Sequence, residues 1–417
     1  MQRWLILADD LTGANDCAVA FARHGHTATV TWGEADPAEG VLAIDANSRR
    51  MAPADAAARH RALMATWHQP GTALFKKIDS TLRGQPAAEL AETLAVLREA
   101  DRPALALVAP AFPDTGRTTE GGRVRLHGAP LEDSSLWARE HSYPSAELRA
   151  VLATAGLGAG HLPLAGVRAG EAALAAALRE AVAGPLPALV CDAATAGDLA
   201  AIARASLPLA SRVIWVGSGG LAAALAAAAP AGQAAVPFHA PPTSSAGGLL
   251  LVVGSLAEAS RAAAARLREA DGVHSFALTP ALLREGPGAA WQARAEAIAA
   301  VLARGEDALV TIAAEPEADL AQGPALAEAL AALLHPAGRH MGGLFATGGE
   351  TACAVLTRLD VGGIRLLDEI EPGVPLGITC GRIGVPVVTK AGAFGGAETI
   401  AHARHRLRAL LQGKEPE

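Results

Sequence analysis

Short apolar runs alternate with longer amphipathic segments along most of the chain. Runs typical of buried strands recur through the first half, at residues 4–8, 27–31, 41–44, 73–78, 104–108, 188–192 and 213–216. Segments rich in Ala, Leu, Arg and Glu with helical spacing lie between them, as at 14–24, 52–67 and 86–100. Because parallel strands need a crossover connection, usually a helix, this alternation predicts an α/β fold with a largely parallel sheet. Residues 110–145 break the alternation, and long irregular segments of this kind are often functional.

A segment rich in Pro, Gly and Ser separates this region from a second one of the same kind. The segment covers residues 233–247, and its composition is typical of a linker. Strand-type runs resume at 249–253, 308–312 and 344–346, with helix-type patterns at 257–270, 289–304 and 324–334. We therefore predict a first domain over 1–232, a second domain over 248–411 and a short tail over 412–417.

Composition narrows the class of protein. Hydrophobic residues make up 51% of the 417 residues, which is enough for a sizeable core, and a net charge of −7 argues against a general nucleic-acid binder. The four cysteines form no C-x-x-C pair, which argues against a zinc ribbon and fits a reducing compartment. The N-terminal apolar run is too short for a signal peptide, and no alanine-rich stretch is typical of a membrane span. These features predict a cytoplasmic protein without a nucleic-acid or membrane partner, and they leave a homodimer open.

Two acids follow the first predicted strand directly. Asp9 and Asp10 lie at the carboxyl end of that strand and just before a helix, and Gly13 would let the backbone come close to a ligand. Ligands of open α/β sheets bind at the carboxyl ends of strands, and adjacent acids there repel each other. The alternative is a helix N-cap with spare solvent-exposed acids. We interpret the pair as a candidate catalytic and substrate-binding site.

A denser cluster follows the strand at 73–78. It combines cations, an acid and hydroxyls, namely Lys77, Asp79, Ser80, Thr81 and Arg83. Arginine offers a planar fork for a carboxylate or phosphate, whereas lysine is a compact point charge. Lysine occurs at only four positions although Lys+Arg total 35, so its presence here strengthens the case for an anion site. The alternative is a surface salt bridge between Asp79 and Arg83 at i,i+4.

The irregular segment after the strand at 104–108 provides a third candidate. Gly116 and Arg117 lie there in a Pro-rich stretch and have the character of a ligand-binding loop. The alternative is a Pro-rich turn that carries a solvated arginine.

Three Gly-rich turns end strands in the second half of the chain. The candidate residues in these turns are Ser255, Gly348, Gly349, Glu350, Thr351, Lys390, Gly392 and Gly395. Gly-rich turns at helix N-termini expose backbone N–H groups to phosphates. Three of them in one domain favour a nucleotide cradle over plain turns.

Other nucleotide and metal motifs are absent or incomplete. The Gly413-Lys414 pair lies in the tail without a following Ser or Thr, so there is no P-loop, and H-E-x-x-H does not occur. Residues 217–222 fit G-x-G-x-x-A, but no acid occurs between Asp198 and Glu258, where the ribose-binding acid would be expected. An NAD(P)-dependent oxidoreductase of small hydroxy acids is therefore only an alternative function.

Taken in order, these segments resemble the four-carbon acid sugar kinase family, once known only as a domain of unknown function. The matching segments span nearly the whole chain, at 8–14 with Asp16, 77–84, 109–119, 253–255, 347–351 and 389–395. Asp45 and Ser48-Arg49 also match, more weakly. The resemblance implies two α/β domains, the first for the acid sugar and the second for ATP, with the ligand site in the cleft between them.

The resemblance also implies the reaction. A kinase of this family would use ATP and Mg²⁺ to phosphorylate a terminal hydroxyl of threonate, erythronate or 3-oxo-tetronate, giving the 4-phosphate. The sequence names no protein site for the metal ion. A non-catalytic acid-sugar-binding protein with the same fold is the second alternative.

Roles for single residues follow from the same resemblance. The residues expected to bind the substrate are Asp9, Asp10, Arg49, Lys77, Asp79, Ser80, Thr81, Arg83 and Arg117. Among them, Arg83 and Lys77 would hold the carboxylate. Asp9 and Asp10 would accept hydrogen bonds from the hydroxyls, and one of them or Asp79 would orient the attacking hydroxyl. Phosphoryl transfer depends mainly on positioning and charge neutralisation, so a strong base is not required. The residues of the three Gly-rich turns would bind ATP.

Overall fold

The computed structural model describes residues 3–33, 40–140, 143–232, 247–254, 257–313, 322–392 and 394–413. These residues form two compact units. The first unit holds residues 3–32 and 40–232, and the second holds Gly33 and the described residues from 247 onward. Most of the predicted linker, 233–246, lies outside the described residues.

The first unit is built on a parallel sheet. Its strands are β1 (Trp4–Ala8), β2 (Ala28–Thr31), β3 (Val41–Asp45), β4 (Ala73–Lys77), β5 (Leu105–Ala109), β6 (Arg117–Glu120), β7 (Arg123–Leu126), β8 (Ala129–Pro130), β9 (Ala159–Leu162), β10 (Ala188–Cys191) and β11 (Val213–Gly217). Its helices are α1 (Leu11–Ala22), α2 (Pro53–Trp67), α3 (Pro86–Glu99), α4 (Ser135–Glu140), α5 (Leu148–Ala153), α6 (Leu164–Val167), α7 (Glu171–Ala183), α8 (Ala196–Ser206) and α9 (Gly219–Ala228). The main sheet has the order β2-β3-β1-β4-β11-β5-β10-β9, with parallel pairing throughout. The predicted α/β class is confirmed.

A small antiparallel sheet occupies the segment where the sequence alternation breaks. Strands β6, β7 and β8 pair in that order, and Gly121 and Gly122 join the first two with φ angles of 63° and 73°. These strands are short and rich in charged residues, so the segment contains no long apolar run and appeared irregular in the sequence. A bridge from Thr119 to Ala193 fastens the small sheet to the chain that follows β10.

The two faces of the main sheet carry different helices. Successive residues of a strand point to opposite faces. Leu5 and Leu7 of β1 share a core with residues of α2 and α3. Trp4, on the other face, packs against Phe21 of α1 and Trp215 of β11, with ring centroids 4.8 Å and 5.2 Å away. Because α1 follows β1 onto one face and α3 follows β4 onto the other, a crevice forms where these neighbouring strands end.

The strands around this crevice end at the same level. Ala8 of β1 pairs with Asp45 of β3 on one side and with Lys77 of β4 on the other. Gly217 of β11 pairs with Lys77 and with Ala109 of β5. The loops that follow these five strands therefore emerge side by side.

The second unit is also an α/β unit. Its strands are β12 (Gly248–Val253), β13 (Val273–Leu278), β14 (Asp307–Ile312), β15 (Met341–Thr347), β16 (Val361–Glu369), β17 (Pro375–Gly381) and β18 (Pro386–Lys390). Its helices are α10 (Glu258–Leu267), α11 (Pro280–Glu285), α12 (Ala289–Ala303), α13 (Gly323–Leu334), α14 (Gly349–Arg358) and α15 (Thr399–Leu411). The sheet order is β13-β14-β12-β15-β18-β17-β16. Pairing is parallel as far as β18 and antiparallel for the last two strands.

The sequence pattern did not predict β13, β16 or β17. β13 is a largely exposed edge strand, and β16 and β17 contain glycines and polar residues, so none of them is a continuous apolar run. Among the described residues, no helix is long and apolar enough to span a membrane.

Candidate active site

The two acids after β1 have both of the roles that the sequence left open. Asp10 is the N-cap of α1, where its Oδ1 accepts a hydrogen bond from Gly13 N at 3.0 Å. Asp9 is buried, and its carbonyl oxygen accepts hydrogen bonds from Ser48 N and Arg49 N at 3.1 and 3.2 Å. The same two side chains form ion pairs, so they are not spare surface acids.

Two cations lie between these acids. The Arg49 guanidinium contacts Asp9 Oδ2 through Nε at 2.6 Å and Asp10 Oδ1 through Nη2 at 2.8 Å. Lys77 Nζ lies 3.3 Å from Asp9 Oδ1 and 3.6 Å from Asp10 Oδ1. Burial alone would raise the pKa of the Asp9 carboxyl, but Arg49 and Lys77 outweigh it and hold that pKa below its ordinary value. Burial likewise disfavours the Lys77 charge, yet Asp9 and Asp10 raise its pKa. Both groups therefore stay charged at neutral pH.

Asp79 organises the turn after β4. Its Oδ2 accepts hydrogen bonds from Thr81 N at 3.2 Å, from Thr81 Oγ1 and from Arg83 Nε at 3.0 Å. Its Oδ1 lies 2.9 Å from Arg83 Nη2, so the i,i+4 salt bridge is present. Burial would raise the pKa of Asp79, but Arg83 and Arg49 hold it well below the ordinary value. Most acceptor positions on this carboxylate are therefore engaged within the protein.

The same turn has a strained backbone. Leu82 is buried at a φ of 63°, a left-handed conformation that a bulky side chain rarely adopts. Its anchor is the network around Asp79, which fixes the residues on both sides. Ser80 is half-buried and lies between Asp79 and Thr81 in the sequence of this turn.

Gly13 is required by the approach of Lys77. A Cβ atom at position 13 would lie 2.1 Å from Lys77 Nζ and 2.6 Å from Lys77 Cε. The first turn of α1 can therefore receive the lysine ammonium only because residue 13 has no side chain.

Arg117 is the cation of this site without an acidic partner among the described residues. Its Nη1 donates to Thr115 O at 2.7 Å, and its Nε is buried without a hydrogen bond from any described residue. Burial lowers the pKa of Arg117, while the nearby Asp79 and Arg83 act on it in opposite directions. Asp9, Asp10 and Asp79 pair with Arg49, Lys77 and Arg83, so Arg117 is a fourth cation beyond these pairs.

Asp45 lies at the edge of the same group. It is buried at the end of β3, and its Oδ1 accepts a hydrogen bond from Asn47 N at 2.7 Å. Burial, and then the charge of Asp10, raises the pKa of Asp45 to about 7. This carboxyl therefore titrates near neutral pH.

The glycines of residues 217–222 have a packing role. A Cβ on Gly217 would lie 2.7 Å from Ala109 O, and one on Gly220 would lie 2.6 Å from Ala111 O. Ser218 caps α9 and donates through Oγ to Ala111 O at 2.9 Å. The loop after β5 thus lies against these glycines, where a Rossmann-type site would need room for a pyrophosphate.

In the second unit, the Gly-rich turns at the ends of β12, β15 and β18 pack on one another. Gly254 N donates to Thr347 O at 3.3 Å, and Gly348 N donates to Lys390 O at 3.0 Å. A Cβ on Gly254 would lie 2.1 Å from Thr351 Oγ1, so buried Thr351 packs directly against this turn. Helix α14 begins at Gly349 without a side-chain cap, and this leaves its first N–H groups suited to an anion. The candidate Ser255 lies outside the described residues.

Lys390 lies beneath the last Gly-rich turn. It is buried, and its Nζ donates to Ser260 Oγ at 2.9 Å and to Ala391 O at 3.0 Å. No described carboxylate forms an ion pair with it, and burial lowers its pKa to about 8. Lys390 therefore holds the turn and adds positive charge behind it.

Three supporting residues of the Gly-rich turns were not apparent from the sequence. Ser260 Oγ donates to Gly392 O at 2.8 Å. Glu371 Oε2 accepts from Thr399 Oγ1 at 2.7 Å, and Thr399 Oγ1 in turn accepts from Gly396 N at 2.7 Å. These residues come from distant parts of the chain, and no local motif marks them.

The chain is similar to two described domain families and to several kinases. The family described as "Sugar-binding N-terminal domain" matches residues 4–225, and the "Nucleotide-binding C-terminal domain" matches residues 250–400. The chain is 48% identical to a D-threonate kinase of Cupriavidus necator, over 99% of both chains. It is 39% identical to a D-threonate kinase of Bordetella bronchiseptica, over 97% of both chains. It is 31% identical to a D-erythronate kinase of Heliobacterium modesticaldum, over 95% of both chains.

A solved structure shares the fold. A protein of Salmonella typhimurium LT2 superposes with a TM-score of 0.82, covering 98% of this chain and 100% of that chain at 21% identity. At this identity the likeness concerns the fold alone.

Proposed function

The chain belongs to the four-carbon acid sugar kinase family, and within that family we propose that its substrate is D-threonate, phosphorylated on the terminal hydroxyl to the 4-phosphate. The class of reaction follows from the relatives: the protein is a kinase of four-carbon acid sugars. The choice of D-threonate depends on one observation, the 48% identity to a D-threonate kinase, compared with 31% to a D-erythronate kinase.

The charge balance of the first unit supports an acid as the substrate. Asp9, Asp10 and Asp79 already pair with three cations, and Arg117 adds a positive charge whose buried Nε has no acceptor among the described residues. We assign the substrate carboxylate to Arg117, with Arg83 beside it as the second guanidinium. Arginine suits this role because its planar fork matches a carboxylate. Lys77, Ser80 and Thr81 stay candidates for contacts to the rest of the substrate.

Asp10 is the acid best placed to orient the attacking hydroxyl. Both oxygens of Asp9 and Asp79 are engaged by cations or by N–H groups. Asp10 uses Oδ1 for the helix cap and for Arg49, whereas its Oδ2 takes part in no hydrogen bond or ion pair among the described residues. Its side chain is also the most exposed of the three, at 22%. A weakly basic carboxylate is sufficient because phosphoryl transfer depends on alignment more than on proton removal.

The second unit supports a nucleotide. The uncapped start of α14 and the turns around Gly348 and Gly392 present backbone groups, with Lys390 as positive charge behind them. We propose that the phosphates of ATP bind there and that Glu350 contacts the nucleotide or its metal. A magnesium ion would neutralise phosphate charge, and Mg²⁺ usually keeps several water ligands and needs only one or two carboxylates.

Three further expectations stay predictions: a cytoplasmic location, the absence of a nucleic-acid partner and a homodimer. The two alternative functions make different predictions from the kinase. An oxidoreductase would bind NADH saturably, without competition from ATP. A non-catalytic binding protein would bind D-threonate without releasing ADP.

A coupled ADP-release assay tests the proposal. Purified protein is supplied with ATP and Mg²⁺. Each reaction then contains one candidate substrate: either enantiomer of threonate, either enantiomer of erythronate, or 3-oxo-tetronate. We expect the highest kcat/KM with D-threonate. A higher kcat/KM with D-erythronate would contradict the substrate, and phosphate on another carbon of the product would contradict the position.

A further inference from the structure

A group of buried polar side chains lies directly beneath the candidate active site. Lys76, Glu89 and Ser48, called here the buried triad, are each no more than 1% exposed. Lys76 Nζ lies 2.8 Å from Glu89 Oε2, and Ser48 Oγ donates to Glu89 Oε1 at 2.5 Å. Lys76 precedes Lys77 in β4, so the two lysines point to opposite faces of the sheet.

The stability of the fold does not by itself explain why a buried ion pair is present here. Desolvation of two buried charges offsets most of their attraction, and apolar replacements of buried ion pairs are often neutral or stabilising. His60 and Tyr143 are further titratable groups near Glu89, and His60 Nε2 lies 3.8 Å from Glu89 Oε2. Burial, and then the charge of Lys76, lowers the pKa of His60 to about 3, so it is neutral and adds no second cation.

The triad contacts the backbone segments that carry Asp9, Lys77 and Arg49. Lys76 Nζ donates to Lys77 O at 2.8 Å and to Leu7 O at 3.5 Å, at the ends of β4 and β1. Ser48 precedes Arg49, and the N–H groups of both residues donate to Asp9 O. One ion pair thus connects the backbone segments that present Asp9, Lys77 and Arg49.

We infer that Lys76, Glu89 and Ser48 are positioning residues that fix Arg49 and Lys77 relative to Asp9 for substrate binding. The inference rests on the proposed function, because it takes the substrate to lie beside Asp9 and Asp10. None of the triad is exposed to touch a ligand, so its effect must pass through the residues above it.

The test compares three variants of the triad with a matched control. Ser48→Ala removes one hydrogen bond, Glu89→Gln removes one charge, and the double variant Lys76→Met/Glu89→Leu replaces the ion pair with apolar side chains. The control, Arg404→Met, breaks the ion pair of Arg404 with buried Asp307 (2.6 Å) in the second unit. Kinetic constants for D-threonate and ATP are measured below the melting transition of each variant.

We expect each triad variant to change the kinetic constants for D-threonate about ten-fold or more, either as a higher KM or as a lower kcat/KM. Small displacements of positioned groups have effects of this size. KM for ATP should change less than about two-fold, while Arg404→Met should lower the melting temperature and leave both KM values unchanged. The double variant keeps the test decisive if a single variant fails to fold, because it leaves no unmatched buried charge.

Unchanged constants for D-threonate in Ser48→Ala and in the double variant would overturn the inference. An equal loss in Arg404→Met would overturn it too, because the effect would then reflect general destabilisation. The activity of the wild type with D-threonate distinguishes failure of this inference from failure of the proposed function. If the wild type does not turn over D-threonate, the substrate is wrong, and the comparison is made with the four-carbon acid sugar that it does phosphorylate.

Discussion

Replacement of Arg117 by methionine removes the one positive charge of the site that no described acid matches. The guanidinium donates to Thr115 O at 2.7 Å, and its Nε is buried without an acceptor among the described residues. Removal of one partner of a buried, hydrogen-bonded charge pair costs about 2–5 kcal/mol. Because Arg117 is only half-buried, we expect the lower end, about 2–3 kcal/mol, which corresponds to a roughly 30- to 150-fold loss in kcat/KM for D-threonate.

The assay compares D-threonate with its neutral amide in wild type and Arg117→Met. The wild type should prefer the acid strongly, and the variant should lose most of that preference because the amide makes no ion pair. Arg125 offers a matched control in the same small sheet, since its Nη1 also donates to a carbonyl, Gly128 O at 3.1 Å. Arg125→Met should leave kcat/KM for both compounds unchanged.

Stability gives a second check on the same reasoning. Arg117→Met breaks no ion pair with any residue that the structure describes, so the free energy of unfolding should change by no more than about 1 kcal/mol, the value of one hydrogen bond. An Arg117→Met variant whose kcat/KM for D-threonate stays within about three-fold of wild type (less than ~1 kcal/mol) would refute the carboxylate role of Arg117.

Three further predictions concern neighbouring residues. Asp10→Asn keeps an acceptor for the N-cap of α1 but loses the ion pairs with Arg49 and Lys77, so the melting temperature should fall. The value of kcat should fall about 100-fold or more if Asp10 orients the hydroxyl, and an unchanged kcat would show that it does not. Gly13→Ala places a Cβ where Lys77 Nζ now lies, 2.1 Å away, and should raise KM for D-threonate at least ten-fold (roughly), with KM for ATP as the internal control. The pKa of Asp45 is raised to about 7 in the folded protein, so protonation of Asp45 stabilises the fold. This stabilisation is complete below the pKa of the unfolded chain, about 4, and it is lost as the pH rises through 7. Asp45→Asn should therefore raise the melting temperature of the first domain at pH 8, on the order of 5 °C, and lose this advantage toward pH 4; an equal effect at both pH values would contradict the titration of Asp45.

The fold was predictable to the extent that strands are continuous apolar runs. The parallel strands β1, β5 and β12 are such runs, and the sequence pattern predicted them. The small antiparallel sheet and the edge strand β13 are polar or exposed, so their pairing depends on tertiary contacts and leaves no periodic signal.

The candidate site was predictable in its members but not in its pairings. Asp9, Asp10 and the cluster after β4 stand at strand ends, and parallel strand ends meet at one edge of a sheet. Apart from the local Asp79–Arg83 pair, the pairing of cations with acids depends on contacts between residues far apart in the chain, such as Arg49 with Asp9. That Arg117 is a cation beyond these pairs follows only once the pairs are known.

Three of the four lysines have two different roles in the structure. Lys77 lies among the acids of the site, as the motif suggested, whereas Lys76 and Lys390 are buried beneath loops that they hold through carbonyl oxygens. A lysine ammonium on a flexible stem can reach several carbonyls at once, which the rigid guanidinium fork does less readily. Sequence alone does not distinguish these supporting lysines from ligand-binding ones.

The most direct test of the proposed function is the rate of ADP release with Mg²⁺, ATP and each stereoisomer of the four-carbon acid sugars. The proposal predicts turnover with the highest kcat/KM for D-threonate and a product phosphorylated on the terminal hydroxyl. Preference for D-erythronate or for 3-oxo-tetronate would contradict D-threonate as the substrate, and no ADP release with any of these compounds would contradict the assignment of the site itself.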